Sequence, residues 1–432
     1  VSIATAGSRT FASLRRHRNY RLYFSGQVVS LSGTWMQNVA QAWLVLQLTN
    51  GSAFAVGALS LCQFGPYALL GLVGGSLADR LPARRTLVFT QSGSMLAAAA
   101  LAGLALTHSA QVWEVFVIAA AAGSVLILDT PVRQAFTIQM VGRAELPNAI
   151  ALNSSLFNAS RIFGPALAGL LIATTGVGIC FLLNAVSFIA VVAALLMMRD
   201  SELHAVNRGT TRPTVLRGVG EGLAYAWRTP SVRLVLLVML VISTLAINFN
   251  VLLPVLTTHT LASGPEVFGI LSGAFGVGAL VGALTSASLS RASLGVMLLG
   301  GTGFGASLLL LAPVTTVWLA CLVLMLVGFT FSVYGSQSNS SLQMVVPDRL
   351  RGRVLSLYGY VFFGTAPLGG LFTGWLCGRL GTWAYLLVAG GVSVVAALAG
   401  MASMRARGTR LPDRRPAPNI GGGDASSLAA RE

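Results

Sequence analysis

The chain has 432 residues, 55% of them hydrophobic and only 9% charged, with a formal net charge of +16 and a mean hydropathy of +0.77. An ordinary soluble protein carries about 25% charged residues, so the bulk of this chain is expected in lipid and a water-soluble enzyme is excluded. All 28 basic residues are arginine; without a lysine, a Walker A phosphate loop and a pyridoxal Schiff base are excluded as well.

In chain order, residues 1–19 form a short basic arm, expected on the cytoplasmic side. The apolar run that follows is too long for a signal peptide and lacks a clear small-residue cleavage site, so it reads as a retained helix. Apolar runs bounded by turn residues then predict six spans near 20–47, 53–77, 87–107, 112–132, 149–173 and 178–198. A polar, arginine-rich stretch over 199–230, broken by Gly and Pro, reads as a linker between two halves. Six more spans are expected near 231–257, 266–288, 293–313, 315–338, 354–377 and 382–403. The tail over 404–432, with Arg414-Arg415 and Gly421-Gly422-Gly423, reads as a disordered cytoplasmic segment. Cys62, Cys180, Cys321 and Cys377 are scattered among apolar stretches, which points to core residues rather than a metal site or a disulfide framework.

The expected fold is therefore an all-α membrane protein of 12 transmembrane helices, since lipid leaves the backbone only helices or closed barrels. With the N-terminus inside, 26 of the 28 arginines fall on cytoplasmic segments. Only Arg379 falls outside and only Arg161 deep within a span. That bias predicts a multi-pass bacterial inner-membrane protein with both termini cytoplasmic, and it accounts for the positive charge without a nucleic acid. The halves also resemble each other. At an offset of 212, Arg21-Leu22 meets Arg233-Leu234, and Gly57, Leu59 and Ser60 meet Gly269, Leu271 and Ser272; Gln139-Met140-Val141 meets Gln343-Met344-Val345 at 204. Two pseudo-symmetric six-helix bundles, 20–198 and 231–403, follow from the duplication, with a site expected at the midplane between them.

The segment Gly75-Ser76-Leu77-Ala78-Asp79-Arg80-Leu81-Pro82-Ala83-Arg84-Arg85 resembles the signature loop of the major facilitator superfamily, with Pro82 in place of a glycine and Ala83 in place of a basic residue. Asp79 ends its own helix, where a carboxylate meets the negative pole of the macrodipole and needs a positive partner. The resemblance implies a gating contact of Gly75, Asp79, Arg80, Arg84 and Arg85 with the start of span eleven near Gly352 to Val354; the alternative is that the charges from Asp79 to Arg85 only orient the chain in the membrane. Further on, Asp129-Thr130-Pro131-Val132-Arg133, Leu152-Asn153-Ser154 and Arg161-Ile162-Phe163-Gly164-Pro165 resemble the third drug:proton antiporter family, which includes enterobactin-exporter-like and macrolide-efflux-like permeases. Gly164, Pro165 and Gly169 are similar to that family's antiporter motif in span five, with Ala168 where a second glycine is usual.

Arg161 lies about 18 Å into span five at 1.5 Å per residue, near the midplane. A charge there is costly, so the side chain is expected inside the bundle, either contacting an anion or clamping two helices. Asp129, one turn before Arg133, is both a proton-coupling candidate and a salt-bridge candidate with it. Polar stripes at helical spacing add cavity candidates: Ser30, Thr34, Gln37 and Gln41 in span one, Ser154 and Asn158 in span five, and Thr244 and Asn248 in span seven. The same stripes could serve only as hydrogen bonds between helices. The four histidines, His17, His108, His204 and His259, all fall in arms or loops, so no buried histidine relay is expected.

These features together predict a secondary transporter, not an enzyme, that works as a monomer by alternating access. It is expected to export a small amphipathic molecule, drug-like or siderophore-like, against protons; no cofactor is expected beyond the proton gradient. A lipid flippase of the same fold and a non-transporting membrane sensor are the alternatives.

Overall fold

The computed structural model describes residues 12–78, 80–204, 215–289 and 292–406. Apolar stretches of this length leave the backbone nowhere to bond but within a helix, and the described residues form helices joined by short turns, with no strand. Ten of these helices are long and apolar enough to cross a membrane. One, Val112–Thr175, runs for 64 residues and holds two spans, broken at Gly142. There φ is +70°, a conformation open to glycine at little cost. Arg18–Leu48 supplies the remaining span; it has 31 residues, and its polar stripe keeps it out of the apolar ten.

The first half is thus Arg18–Leu48, Ala53–Ala78, Ala83–Leu106, the two parts of Val112–Thr175, and Val177–Leu196. In the second half, span seven is Pro230–Leu245 followed, after a break at 246–248, by Phe249–Val255 and a π-helical turn, Leu256–Thr260. Pro265–Ser288, Leu294–Leu311 and Val317–Val345 follow. Span eleven is split at Thr365 into Asp348–Gly364 and Ala366–Leu380, and Thr382–Ala406 closes the chain. The linker is not featureless, as its polar sequence suggested: Val215–Arg228 is a helix that packs on the start of span eleven, where Glu221 pairs with Arg353.

The arginine-rich end of the first half is tied together by polar contacts. Asn19 Nδ2 donates to the Arg199 carbonyl at 2.8 Å, Ser13 Oγ donates to Asn148 Oδ1 at 2.7 Å, and Arg16 pairs with Glu145. His17 and His204 stack edge to face at 5.7 Å; burial first, then the charge of His204, lowers the His17 pKa below 6.5.

The two bundles meet most tightly at the end of the seam opposite the arginines. Span two lies against span eleven, where a Cβ on Gly57 would come 2.6 Å from the Gly370 carbonyl oxygen and 3.2 Å from Gly374 Cα. Span five lies against span eight, where a Cβ on Gly169 would come 2.8 Å from Gly269 Cα. No larger side chain fits either crossing, and small residues let membrane helices approach to this distance. Trp43 stacks on Phe268 across the same seam at 6.1 Å, and His259 Nε2 lies 2.7 Å from the Gly51 carbonyl oxygen. A further hydrogen bond across the seam runs from Tyr360 to the Ala68 carbonyl.

Candidate functional site: a midplane guanidinium in an aromatic cage

Arg161 is the centre of the site. It extends from span five, in the first bundle, between Phe275 of span eight and Phe331 of span ten, each ring 5.0 Å from its guanidinium carbon; Trp35 of span one lies at 5.9 Å. Ring faces carry negative quadrupole density and attract a cation. Phe275 and Phe331 belong to a larger cluster with Phe249 and Phe304, the closest pair being Phe249 and Phe275 at 4.4 Å. Among the described residues no carboxylate and no hydrogen-bond acceptor holds this guanidinium. Ring faces alone do not neutralise it, and the side chain is only partly covered.

Asn158 and Ser154 occupy the same stripe of span five, one and two turns toward the arginine-rich end. Ser154 is exposed, and Asn158 Nδ2 donates to the Ser154 carbonyl at 2.9 Å. The other stripes are used differently. Gln37 Oε1 accepts from Asn184 Nδ2 of span six at 2.7 Å, and Gln41 Oε1 accepts from Gln63 Nε2 of span two at 3.0 Å. Both bonds stay within the first bundle. Ser30 is buried, and its carbonyl accepts from the Thr34 hydroxyl. Thr244 Oγ donates to the Leu240 carbonyl, and buried Asn248 Nδ2 donates to that of Thr244 at 3.0 Å. Asn248 sits beside Gly369 rather than beside Arg161.

Asp129 lies apart from this centre, in a polar cluster of the first bundle alone. Its Oδ1 accepts from Thr90 Oγ at 2.8 Å and from Gln91 Nε2 at 2.7 Å; its Oδ2 accepts from both Arg133 Nε, at 3.1 Å, and the neighbouring Arg133 terminal nitrogen. The other Arg133 terminal nitrogen donates to Gln27 Oε1 of span one. Asp129 is 3% exposed, so four donors replace the water it gives up.

Of the signature loop, Asp79 lies outside the described residues. Gly75 sits in the last turn of Ala53–Ala78, and Arg80 and Arg85 are exposed. Arg84 turns back onto span six: its Nε and one terminal nitrogen donate to the Leu195 and Leu196 carbonyls at 2.7 and 2.9 Å, and the other pairs with Asp200 at 2.6 Å. A cation on the last carbonyls of a helix also meets its negative pole. In the antiporter-like motif, a Cβ on Gly164 would fall 2.5 Å from Trp35 Cβ, so this position lets span one close on span five. Gly169 performs the same service toward span eight across the seam, with buried Pro165 between the two.

Sequence reasoning missed Phe275 and Phe331, because a phenylalanine in an apolar span carries no mark distinguishing cage from core. It also missed Gln27, Thr90 and Gln91. A polar residue at helical spacing was the available signal for Gln27, which lies three residues before Ser30 on the stripe that was noted.

Two six-helix bundles meeting across a seam, with one uncompensated charge near the middle, define a helical membrane transporter. A family model described as transmembrane secretion effector matches residues 8–419, and the chain belongs to that family of the major facilitator superfamily. Its relatives include the multidrug efflux pump Tap of Mycolicibacterium fortuitum, 30% identical over 82% of this chain and 88% of that one. The staphyloferrin A transporter of Staphylococcus aureus is 27% identical over 81% and 87%, and macrolide efflux protein A of Streptococcus pyogenes 23% identical over 89% and 96%. Among solved structures, a POT family transporter in complex with 5-aminolevulinic acid superposes with a TM-score of 0.73 at 12% identity, covering 89% of this chain and 96% of that one. That likeness shows the fold alone. The chain is a multi-pass membrane transporter of small molecules, with efflux pumps and a siderophore transporter as its relatives.

Proposed function

We propose that this chain is a secondary exporter that moves a small amphipathic molecule out of the bacterial cytoplasm by alternating access, holding it at Arg161. The observation that carries the reading is the Arg161 side chain, supplied by one bundle and seated between Phe275 and Phe331 of the other, so that any rocking of the bundles remakes the site. An amphipathic cargo fits the cage: an apolar body stacks on Phe275 and Phe331, and a polar or negative group meets the guanidinium. With both termini in the cytoplasm of an inner-membrane protein, the tight glycine crossings close the outer side and the site opens inward past Ser154. One chain encloses the whole site, which favours a monomer.

Asp129 is the embedded acid on which proton exchange would act. Its pairing with Arg133 inside a single bundle favours the structural alternative, because rocking leaves all of its partners in place.

Flux into inside-out vesicles tests the reading, using a panel of macrolide, siderophore and dye probes with and without an imposed pH gradient. Saturable accumulation of at least one probe is expected, with the half-saturating concentration raised tenfold or more in Arg161→Ala, a change of about 1.4 kcal/mol or more in binding. No saturable movement of any probe, or unchanged affinity in Arg161→Ala, overturns it.

A further inference from the structure

The inventory of charge within the membrane has an imbalance. Among the described residues, Asp129 and Arg133 sum to zero and belong to one rigid bundle. Arg379 stands exposed in the last turn of Ala366–Leu380, at the end of the protein opposite the arginine-rich loops. Arg161 is the charge left over, held only by ring faces. A guanidinium stays protonated in proteins, so it cannot shed this charge as a lysine can.

We infer that Arg161 couples this transporter to the membrane potential and that its substrate is a small amphipathic anion; the inference rests on the alternating-access reading above. When the seam is closed on the outer side, Arg161 is reached from the cytoplasm past Ser154, and the electric field falls across the closed half. When the seam closes on the inner side, the same residue stands at the outer potential. The guanidinium hardly moves, yet its electrical position changes sides. An anion seated on it makes the loaded carrier neutral, and outward reorientation carries no charge. The empty carrier then returns with one positive charge, drawn toward the negative interior. One anion leaves per cycle, and the potential drives the return step without a titrating group. Moving one elementary charge through 100 mV is worth about 2.3 kcal/mol, or about 50-fold in an equilibrium. The four donors on Asp129 are consistent with this scheme, since the embedded acid is left with no part in it.

The test needs no known substrate. The full chain, with Cys62, Cys180, Cys321 and Cys377 changed to alanine and with Ser109→Cys and Thr315→Cys on one outer loop of each bundle, is reconstituted into liposomes. Membrane-impermeant dyes added afterwards label only molecules whose outer loops face the bath, and a potassium gradient with valinomycin sets the potential. Energy transfer between the dyes then reports the seam. An interior-negative potential is expected to favour the closed outer seam, and its reversal the open one, by up to about 50-fold per 100 mV where the site senses the whole field. Arg161→Gln and Arg161→Met are expected to flatten the response, and Arg161→Lys to keep it while the amine is protonated and to lose it as the pH is raised. A seam indifferent to voltage in the parent protein, or one still responsive in Arg161→Gln, overturns the coupling. In a second arm, 2-naphthalenesulfonate, a permanent amphipathic anion, is expected to suppress the voltage response at concentrations where neutral 2-naphthalenesulfonamide does not. Equal effects of the two, or none from the sulfonate, overturn the assignment of an anionic substrate. Saturable flux in the vesicle assay alongside a voltage-blind seam would leave the exporter standing and remove this inference alone.

Discussion

Asp129 and Arg161 illustrate two ways of keeping a charge inside a membrane protein. Asp129 accepts from donors on spans three and four, and its partner Arg133 donates in turn to Gln27 of span one, whereas Arg161 has only π-faces. Removing one partner of a buried ion pair strands the other, at a cost of about 3–5 kcal/mol. Asp129→Asn is therefore expected to lower the thermal unfolding midpoint in detergent markedly, because Arg133 loses its counter-charge. Combining it with Arg133→Gln should recover most of the loss, since neither charge then remains. A midpoint unchanged by Asp129→Asn would contradict the structural role and return this residue to proton coupling. The pair itself was legible in the sequence, because its spacing of four is a helical neighbour. Thr90, Gln91 and Gln27 were not, because which residues of neighbouring spans share a level depends on packing that no single span's pattern encodes. For the same reason the depth of Arg161 could be counted along its helix, but not the identity of the rings around it.

Among the elements, the crossings of spans two with eleven and five with eight carry the closure of the seam. Each depends on glycine facing glycine: Gly57 on Gly374, and Gly269 on Gly169. Gly169→Leu is expected to hold the outer seam apart. Overpacking a close contact costs roughly 1–3 kcal/mol, which shifts a two-state equilibrium about 5- to 150-fold. The measurement is the same energy transfer between Ser109→Cys and Thr315→Cys, read without an applied potential; a seam still closed in the leucine variant would show that other contacts govern it. Hydropathy revealed the spans, since lipid imposes length and apolarity on each. Their breaks were hidden. The interruption at 246–248 lies in a stretch with no glycine or proline to announce it, the one at Thr365, although flanked by Gly364 and Pro367, sits in a run apolar enough to read as one span, and the helix at Val215–Arg228 was obscured by the arginines and glycines of the linker.

At the scale of the whole molecule, the same crossings show what duplication left behind. Gly57 and Gly269 stand at the offset of 212 that aligns the early parts of the halves, and their partners Gly374 and Gly169 are 205 apart, one residue from the offset that aligns the later parts. The sequence repeat and the spatial repeat thus coincide at the residues that close the seam, which is how parallel halves related by an axis along the membrane normal are arranged. The signature loop has no such twin, and Arg84 spends its donors within its own bundle, on span six and Asp200.

The duplication fixes the axis but not which end faces the cytoplasm; arginine placement supplies that. Loops near the ends of spans orient a chain when they carry Arg, because basic loops are retained on the cytoplasmic side. The loops 107–111 and 312–316 hold no arginine, whereas 80–85 and 349–353 hold three each. Alkaline phosphatase, active only after export, is therefore expected to be active when fused after Ser109 or Thr315 and inactive when fused after Met404; a fluorescent protein that matures only in the cytoplasm should give the opposite pattern. Reversal of either pattern would invert the protein in the membrane. The closed glycine seam would then face the cytoplasm, the site would open outward past Ser154, and an interior-negative potential would favour the open glycine seam, the reverse of the voltage response expected above.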